Sequence, residues 1–348
     1  MLKKYSILFT LLGVITFMSC EKDFSLNGTY KRTPIIFGLI DQSDSVHMVR
    51  ITRTFLGDGD NNEYAKIADS SYFDIVDAKV LEIDGNDTLR FWQLHDTLVT
   101  NKDAGIFYGP NQKMYTFYAN DLNEDYNYKF DATFDEGAYD ANATTSLIKG
   151  FLFTGSWLQS ATNNPKMKFA SNNGGYLTLF PQSKTPTGVA IKTTKLIVHY
   201  SETYLDNSTQ IKTIEWTKPD DFQNIGLPKF AGEEFFRFVK ANINVDDNVA
   251  KRQLISGTIK VIMVDEVVSK YIDASKPSSS VSQSKPKFTN INNASKDALG
   301  MFAARHIQSR TLPFGAGTIK EMCIGTYTND LGFCSTDPEH VSEYWYCP

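Results

Sequence analysis

The chain has 348 residues, with 35 Lys and Arg against 40 Asp and Glu, a formal net charge of −5 at pH 7 and 41% hydrophobic residues. That hydrophobic content supports packed cores and excludes a disordered chain. The acidic balance, with no Lys/Arg cluster interleaved with aromatics, excludes binding to nucleic-acid phosphates.

Lys3 and Lys4 precede an apolar run from Ile7 to Phe17. A membrane-spanning helix needs roughly 20 apolar residues, so this run is too short for a span but has the length of a signal core. The small Ser19 before Cys20 suits cleavage at that bond. The whole resembles a bacterial lipoprotein signal, which is cut ahead of the cysteine and acylated on its thiol, although Phe17 and Met18 depart from the Leu and the Ala or Ser that the pattern prefers. An ordinary secretory signal with an incidental Cys20 is the alternative. The resemblance implies a signal peptide over 1–19, a lipid on Cys20 and a tether over 20–26. Each buried methylene contributes ~0.8 kcal/mol, and more than one chain makes attachment lasting. Glu21, Lys22 and Asp23 resemble the acidic, Lys-containing signal that directs Bacteroidetes lipoproteins to the cell surface. Lys3 and Lys4 are the charges of residues 1–19, so the remainder carries 33 basic and 40 acidic residues and a net charge of about −7.

About 329 residues remain, more than one core usually spans, which predicts two domains. From Pro34 the pattern is of strands. An apolar run, a polar turn at Asp41 to Ser45 and alternation through Val46, Met48 and Ile51 predict a hairpin; DAKVLEIDGNDTLRFWQL repeats it across Asp84-Gly85-Asn86-Asp87. KMYTFYAN and YNYKFDATF add two strands. Strands at this spacing predict an antiparallel sandwich of the immunoglobulin or fibronectin kind over 27–140. Over 141–348 a second, mixed β domain is predicted. GYLTLFPQ, TKLIVHYSETY, TQIKTIEW and SGTIKVIMVD read as strands, and EEFFRFVKANI as a helix near 233–244 with Phe235, Phe236, Val239 and Ile243 on one face. DEVVSKYIDAS reads as a short helix, and residues 276–287 as an exposed Ser/Pro/Lys loop. The helices and polar loops interrupt the series of strands that a membrane barrel would need.

Three cysteines follow Cys20: Cys323, Cys334 and Cys347. In an exported chain they can pair, and an odd count leaves one over. The turn at Asn329-Asp330 makes Cys323 with Cys334 the first expectation and Cys334 with Cys347 the second. A zinc site would want closely paired cysteines or several His, and His340 stands alone, so no metal is expected there. Asp58, Asp60, Asn62 and Asp69 fall at positions one, three, five and twelve of a calcium loop, but Glu63 stands where the loop needs Gly. A solvated loop is the favoured reading of that segment. The histidines form no HExxH, and GxSxG and the P-loop are missing. Glu233 and Glu234 are neighbours on a helix and point apart, so they cannot bracket a glycosidic bond. Trp92, Trp157, Trp216 and Trp345 read either as a sugar-stacking platform or, the favoured reading, as core packing. No catalytic constellation and no cofactor site emerge.

KRTPIIFGLIDQSDSVHMVRITRTFLGDGD, YAKIADSSYF, and KPKFTNINNASKDALGMFAARH with LGFC resemble a family of Bacteroidetes outer-membrane lipoproteins that carry a domain of unknown function and are often encoded beside TonB-dependent receptors. The resemblance covers nearly all of the mature chain. The family has no established activity, so it implies no catalytic residues. It implies a non-enzymatic envelope lipoprotein that binds a ligand or assists a TonB-dependent transporter. A surface hydrolase of glycans or peptides, and an adhesin, are the alternatives.

Overall fold

A computed structural model describes residues 30–56, 60–100, 108–155, 158, 164–184, 186–219, 227–276 and 287–347. Ser19, Cys20, Glu21, Lys22, Asp23, Asp58 and Trp157 lie outside these residues, as does nearly all of the loop expected at 276–287. The fold is mainly β. No helix among the described residues is long and apolar enough to cross a membrane.

Strands β1 (Pro34–Asp41) and β2 (Val46–Arg53) form the expected hairpin. Side chains alternate along a strand, so Ile36, Ile40, Val49 and Ile51 are buried while Phe37, Leu39, Met48 and Arg50 face the other way. The Asp-rich segment that follows is helical rather than a loop, with α1 (Asn61–Ala65) and α2 (Ala68–Ser71). Strands β3 (Val76–Asp84) and β4 (Asp87–Gln93) make the second hairpin, and Gly85 takes φ +58° in its tight turn. Strands β5 (His95–Val99), β6 (Gln112–Tyr118), β7 (Asn127–Phe134) and β8 (Tyr139–Ser146) complete this half. The order β4-β3-β7-β8 makes a four-stranded sheet. Its Val80, Phe130, Phe134 and Ala141 meet Ile36, Val49 and Phe117 in one core, which is the sandwich that the alternation predicts.

After the short strands β9 (Leu152–Thr154), β10 (Thr178–Leu179) and β11 (Gln182–Lys184) come the long β12 (Ile191–Tyr204) and β13 (Thr209–Pro219). The two-residue β14 (Phe230–Ala231) leads into helix α3 (Gly232–Asn242), followed by β15 (Val249–Val264) and α4 (Glu266–Ser275). Strand β16 (Leu299–Leu312) and helix α5 (Ala316–Ile324) come last before the C-terminal loops. Phe235, Phe236, Val239 and Ile243 are buried, as their helical spacing predicts, against Leu196, Val198, Ile259 and Val261 in a second core.

The two halves share a sheet. Its order is β13-β12-β15-β16-β1-β2-β6-β5, with β1 and β16 paired in parallel and Phe37 opposite Met301. The break expected after residue 140 therefore falls inside β8, and each core packs on the same face of one continuous eight-stranded sheet. The seam demands a close approach: Gly300 has φ +100°, and a Cβ there would stand 1.8 Å from the Ile36 carbonyl oxygen. Only glycine meets both conditions.

Candidate functional site

The disulfide joins Cys334 to Cys347, with Cα atoms 4.9 Å apart, and not Cys323 to Cys334 as first expected. Two backbone hydrogen bonds explain the choice. Ser335 donates to the Trp345 carbonyl at 3.1 Å, and Cys347 donates to the Ser335 carbonyl at 2.8 Å, so the two stretches lie side by side. Cys323 is turned into the second core from α5, where burial pushes its thiol up to about 12.

The remaining sequence candidates do not converge. The Asp60 carboxylate caps α1 by accepting from the Asn62 amide at 2.8 Å, and Asp69 lies in the first turn of α2, so among the described residues of this segment helix stands where a calcium loop would run. Among the described residues no group of three or more His, Cys, Asp or Glu is placed to hold a metal ion. Glu233 accepts from Arg237 at 2.8 Å and from the Tyr327 hydroxyl at 2.6 Å, whereas Glu234 pairs with Lys218 at 3.3 Å. Trp92 packs on Phe117 and under Arg90, Trp216 stacks on Phe238, and Trp345 lies buried against His340. These three indoles serve separate packings rather than one platform.

Two serines lie near histidines. Ser43 hydrogen-bonds Asp41, and Asp41 in turn faces His306 at 3.5 Å, so the acid sits between serine and base and the hydroxyl has no base to activate it. Ser335 Oγ does meet His340 Nδ1 at 2.9 Å, but both are buried and the Asp337 amide also donates to that oxygen. The Ser335 and His340 pair closes a local turn.

The feature that packing does not account for lies on the outward face of the large sheet. Phe37, Leu39, Val46, Met48, Met114 and Met301 line an open groove of about 610 Å³ across β1, β2, β6 and β16. Val46 is 52% exposed and Met48 43%. Of the six methionines in the described residues, Met167, Met263 and Met322 are fully buried and the other three are these. Helix α4 reaches one end of the face, where Tyr271 meets Phe37 edge-on with ring centroids 5.5 Å apart.

Arg50 projects from the floor of this groove, its guanidinium carbon 4.6 Å from the centroid of the Phe37 ring. Arg32, Arg90, Arg237, Arg252 and Arg305 reach carboxylates, and Arg53 reaches backbone carbonyls. Arg50 meets neither among the described residues, and its Nε is buried with no hydrogen-bond partner, as is that of Arg310 on the opposite face of the sheet. Burial pushes its pKa below the ordinary arginine range, with the phenols of Tyr271 and Tyr72 opposing this only in part. Arg305, on the groove's rim, is already held by Asp41 at 3.2 Å and Asp44 at 3.1 Å. The sequence carried one trace of the groove: PIIFGLI is apolar at consecutive positions, which marks a strand meant to be covered on both faces. Comparison with protein-family models and with curated proteins returns no match.

Proposed function

We propose that this chain is a non-enzymatic cell-envelope lipoprotein, held at the outer membrane through a lipid on Cys20, which serves as a binding or accessory module for a TonB-dependent transporter. The observation that carries the binding role is the open, methionine-lined sheet face around Arg50, which meets no carboxylate among the described residues. The lipoprotein-like signal and the resemblance of the strand and loop segments support the anchor and the transporter. Affinity capture of a C-terminally tagged chain from solubilised outer membrane is expected to bring down a TonB-dependent transporter, and Cys20→Ala is expected to release the chain from the membrane fraction. Recovery of the bait alone would sink the accessory role.

A surface hydrolase is the second reading; the contact between Ser335 Oγ and His340 Nδ1 at 2.9 Å brings a hydroxyl to an imidazole with no acid between them, although both side chains are buried in a local turn. Turnover of pooled polysaccharides or peptides that disappears in Ser335→Ala would establish it. Inactivity of the unmodified chain on both pools supports the binding module.

A further inference from the structure

We infer that the outward face of β1, β2, β6 and β16 docks a different protein, one that presents an Asp or Glu carboxylate within an apolar patch, with Arg50 as the counter-ion. The inference rests on the binding-module reading above and adds the chemistry of the partner.

One sheet supplies its own control. On the half formed by β12, β13 and β15, outward positions carry Ile197, Ile211 and Ile262 interspersed with Lys195 paired with Glu215 at 2.8 Å, Lys260, and His199 bonded to Thr258. That is how an antiparallel sheet meets water. On the other half the same face carries Phe37, Leu39, Val46, Met48, Met114 and Met301, with Tyr118 beside Val46 and 63% exposed. Unbranched, polarisable methionines adapt to an incoming surface, and Met and Arg are both enriched where proteins meet.

Breadth decides between a small molecule and a protein. The face spans β16, β1, β2, β6 and β5, with Met301 opposite Phe37, Phe37 opposite Arg50, Met48 opposite Thr116 and Met114 opposite Thr97, five strands wide, or roughly 19 Å at ~4.8 Å per strand. A small ligand wants roughly 70–90% of its surface enclosed, which an open sheet cannot supply. A protein surface can cover it. Charge then selects the partner: Arg305 is already neutralised by Asp41 and Asp44, so one cation, Arg50, awaits one carboxylate. A second copy of this chain fits poorly, because a two-fold axis through the groove would set Arg50 against Arg50.

The test uses the full, lipid-bearing chain in its native host, with the photocrosslinking residue benzoylphenylalanine placed at Met48, at Met114 and, as control, at Lys195. Irradiation is expected to give a protein adduct from the first two positions and none from the third. Mass spectrometry should map the adduct to a segment with an Asp or Glu flanked by apolar residues. Arg50→Met should cut the yield by at least ~10-fold and Arg50→Lys by less, because truncating one partner of a desolvated charge pair is costly. Adducts with lipid only, with a second copy, or with a segment lacking a carboxylate would each overturn the inference. So would the lack of any adduct at both positions, or an unchanged yield in an Arg50→Met chain that melts at or above the temperature of the unmodified one. Should affinity capture still recover the transporter while crosslinks fail, the docking face is wrong and the accessory role stands; a specific adduct with another protein keeps the docking face and removes the transporter from the account.

Discussion

Arg50 on β2 stands opposite Phe37 on β1, stacked on its ring, while its Nε has no hydrogen-bond partner. An orphaned buried donor costs about 1–3 kcal/mol, and an exposed cation–π contact returns about 0.5–1 kcal/mol. Arg50→Met, which keeps the length and removes the charge, is therefore expected to stabilise the isolated chain by about 1 kcal/mol. A urea midpoint that rises at constant slope would show it; a midpoint that falls would mean the guanidinium is holding the fold.

The cysteines make opposite predictions. The bridge from Cys334 to Cys347 closes a loop across a separation of 13 residues, so the double change to Ser should cost ~3 kcal/mol. Cys323, buried and with its thiol pushed up to about 12, should resist iodoacetamide until the chain unfolds. Peptide mapping without reductant would read both, and a fragment linking Cys323 to Cys334 would refute the pairing.

Glu202 and Arg252 form a buried ion pair at 2.8 Å, with Lys212 on the other carboxylate oxygen at 2.5 Å. Burial pushes the Glu202 carboxyl up, but the hydrogen bonds from Lys212, Arg252 and Tyr204 outweigh it and hold the pKa below the usual 4.5. A folded pKa below the unfolded one stabilises the protein at pH values above 4.5, and this contribution is lost as pH falls through the folded value. Glu202→Gln strands the Arg252 charge and should cost about 3–5 kcal/mol at pH 7. Its acid-induced loss of stability below pH 4.5 should be shallower than that of the unmodified chain. Parallel acid limbs in denaturation midpoints measured from pH 7 to pH 3 would remove Glu202 from the account.

Gly300→Ala should be among the most damaging of small substitutions. The new methyl would meet the Ile36 carbonyl and the backbone would be held at φ +100°, for a combined cost of at least about 3 kcal/mol. Thermal melting checks this, and a change in midpoint of under about 2 °C would show that the seam can relax.

Where side chains alternated between obvious turns, the strands could be read from residues alone, as for β1 to β4, β6, β7, β12 and β13. Helix α3 was equally plain, because Phe235, Phe236, Val239 and Ile243 repeat at its period. Strand β16 was not, since small Gly300, Ala303 and Ala304 and the mixed polar stretch from Arg305 to Thr311 blur the alternation; its identity comes from pairing with β1 and β15. Helix α5 lacked a side-chain cap and carries Gly317 and Thr318 in its first turn after Ala316, poor helix formers that burial retains: Gly317 lies against Ser171, and Thr318 accepts from the Phe169 amide at 2.8 Å. Strand β8 alternates Ala with polar residues and carries too little apolar signal to stand out. The groove shows the deeper limit. Phe37, Arg50, Met114 and Met301 are scattered over 265 positions, and only the sheet register sets them side by side.

The parallel seam also governs when this molecule can exist at all. Asp41 and Arg305 bind each other across 264 positions, and β1 and β15 meet only through β16. A polypeptide delivered N-terminus first can pair β1 with β2 at once, but must leave the other edge of β1 open until nearly the whole chain has passed. Such distant pairing makes assembly slow and leaves exposed edges in the meantime. A truncated or stalled product ending before residue 299 would lack the staple common to both cores and present two raw strand borders to its neighbours. Completion of the final long strand is thus the checkpoint that separates a finished protein from an aggregation-prone fragment.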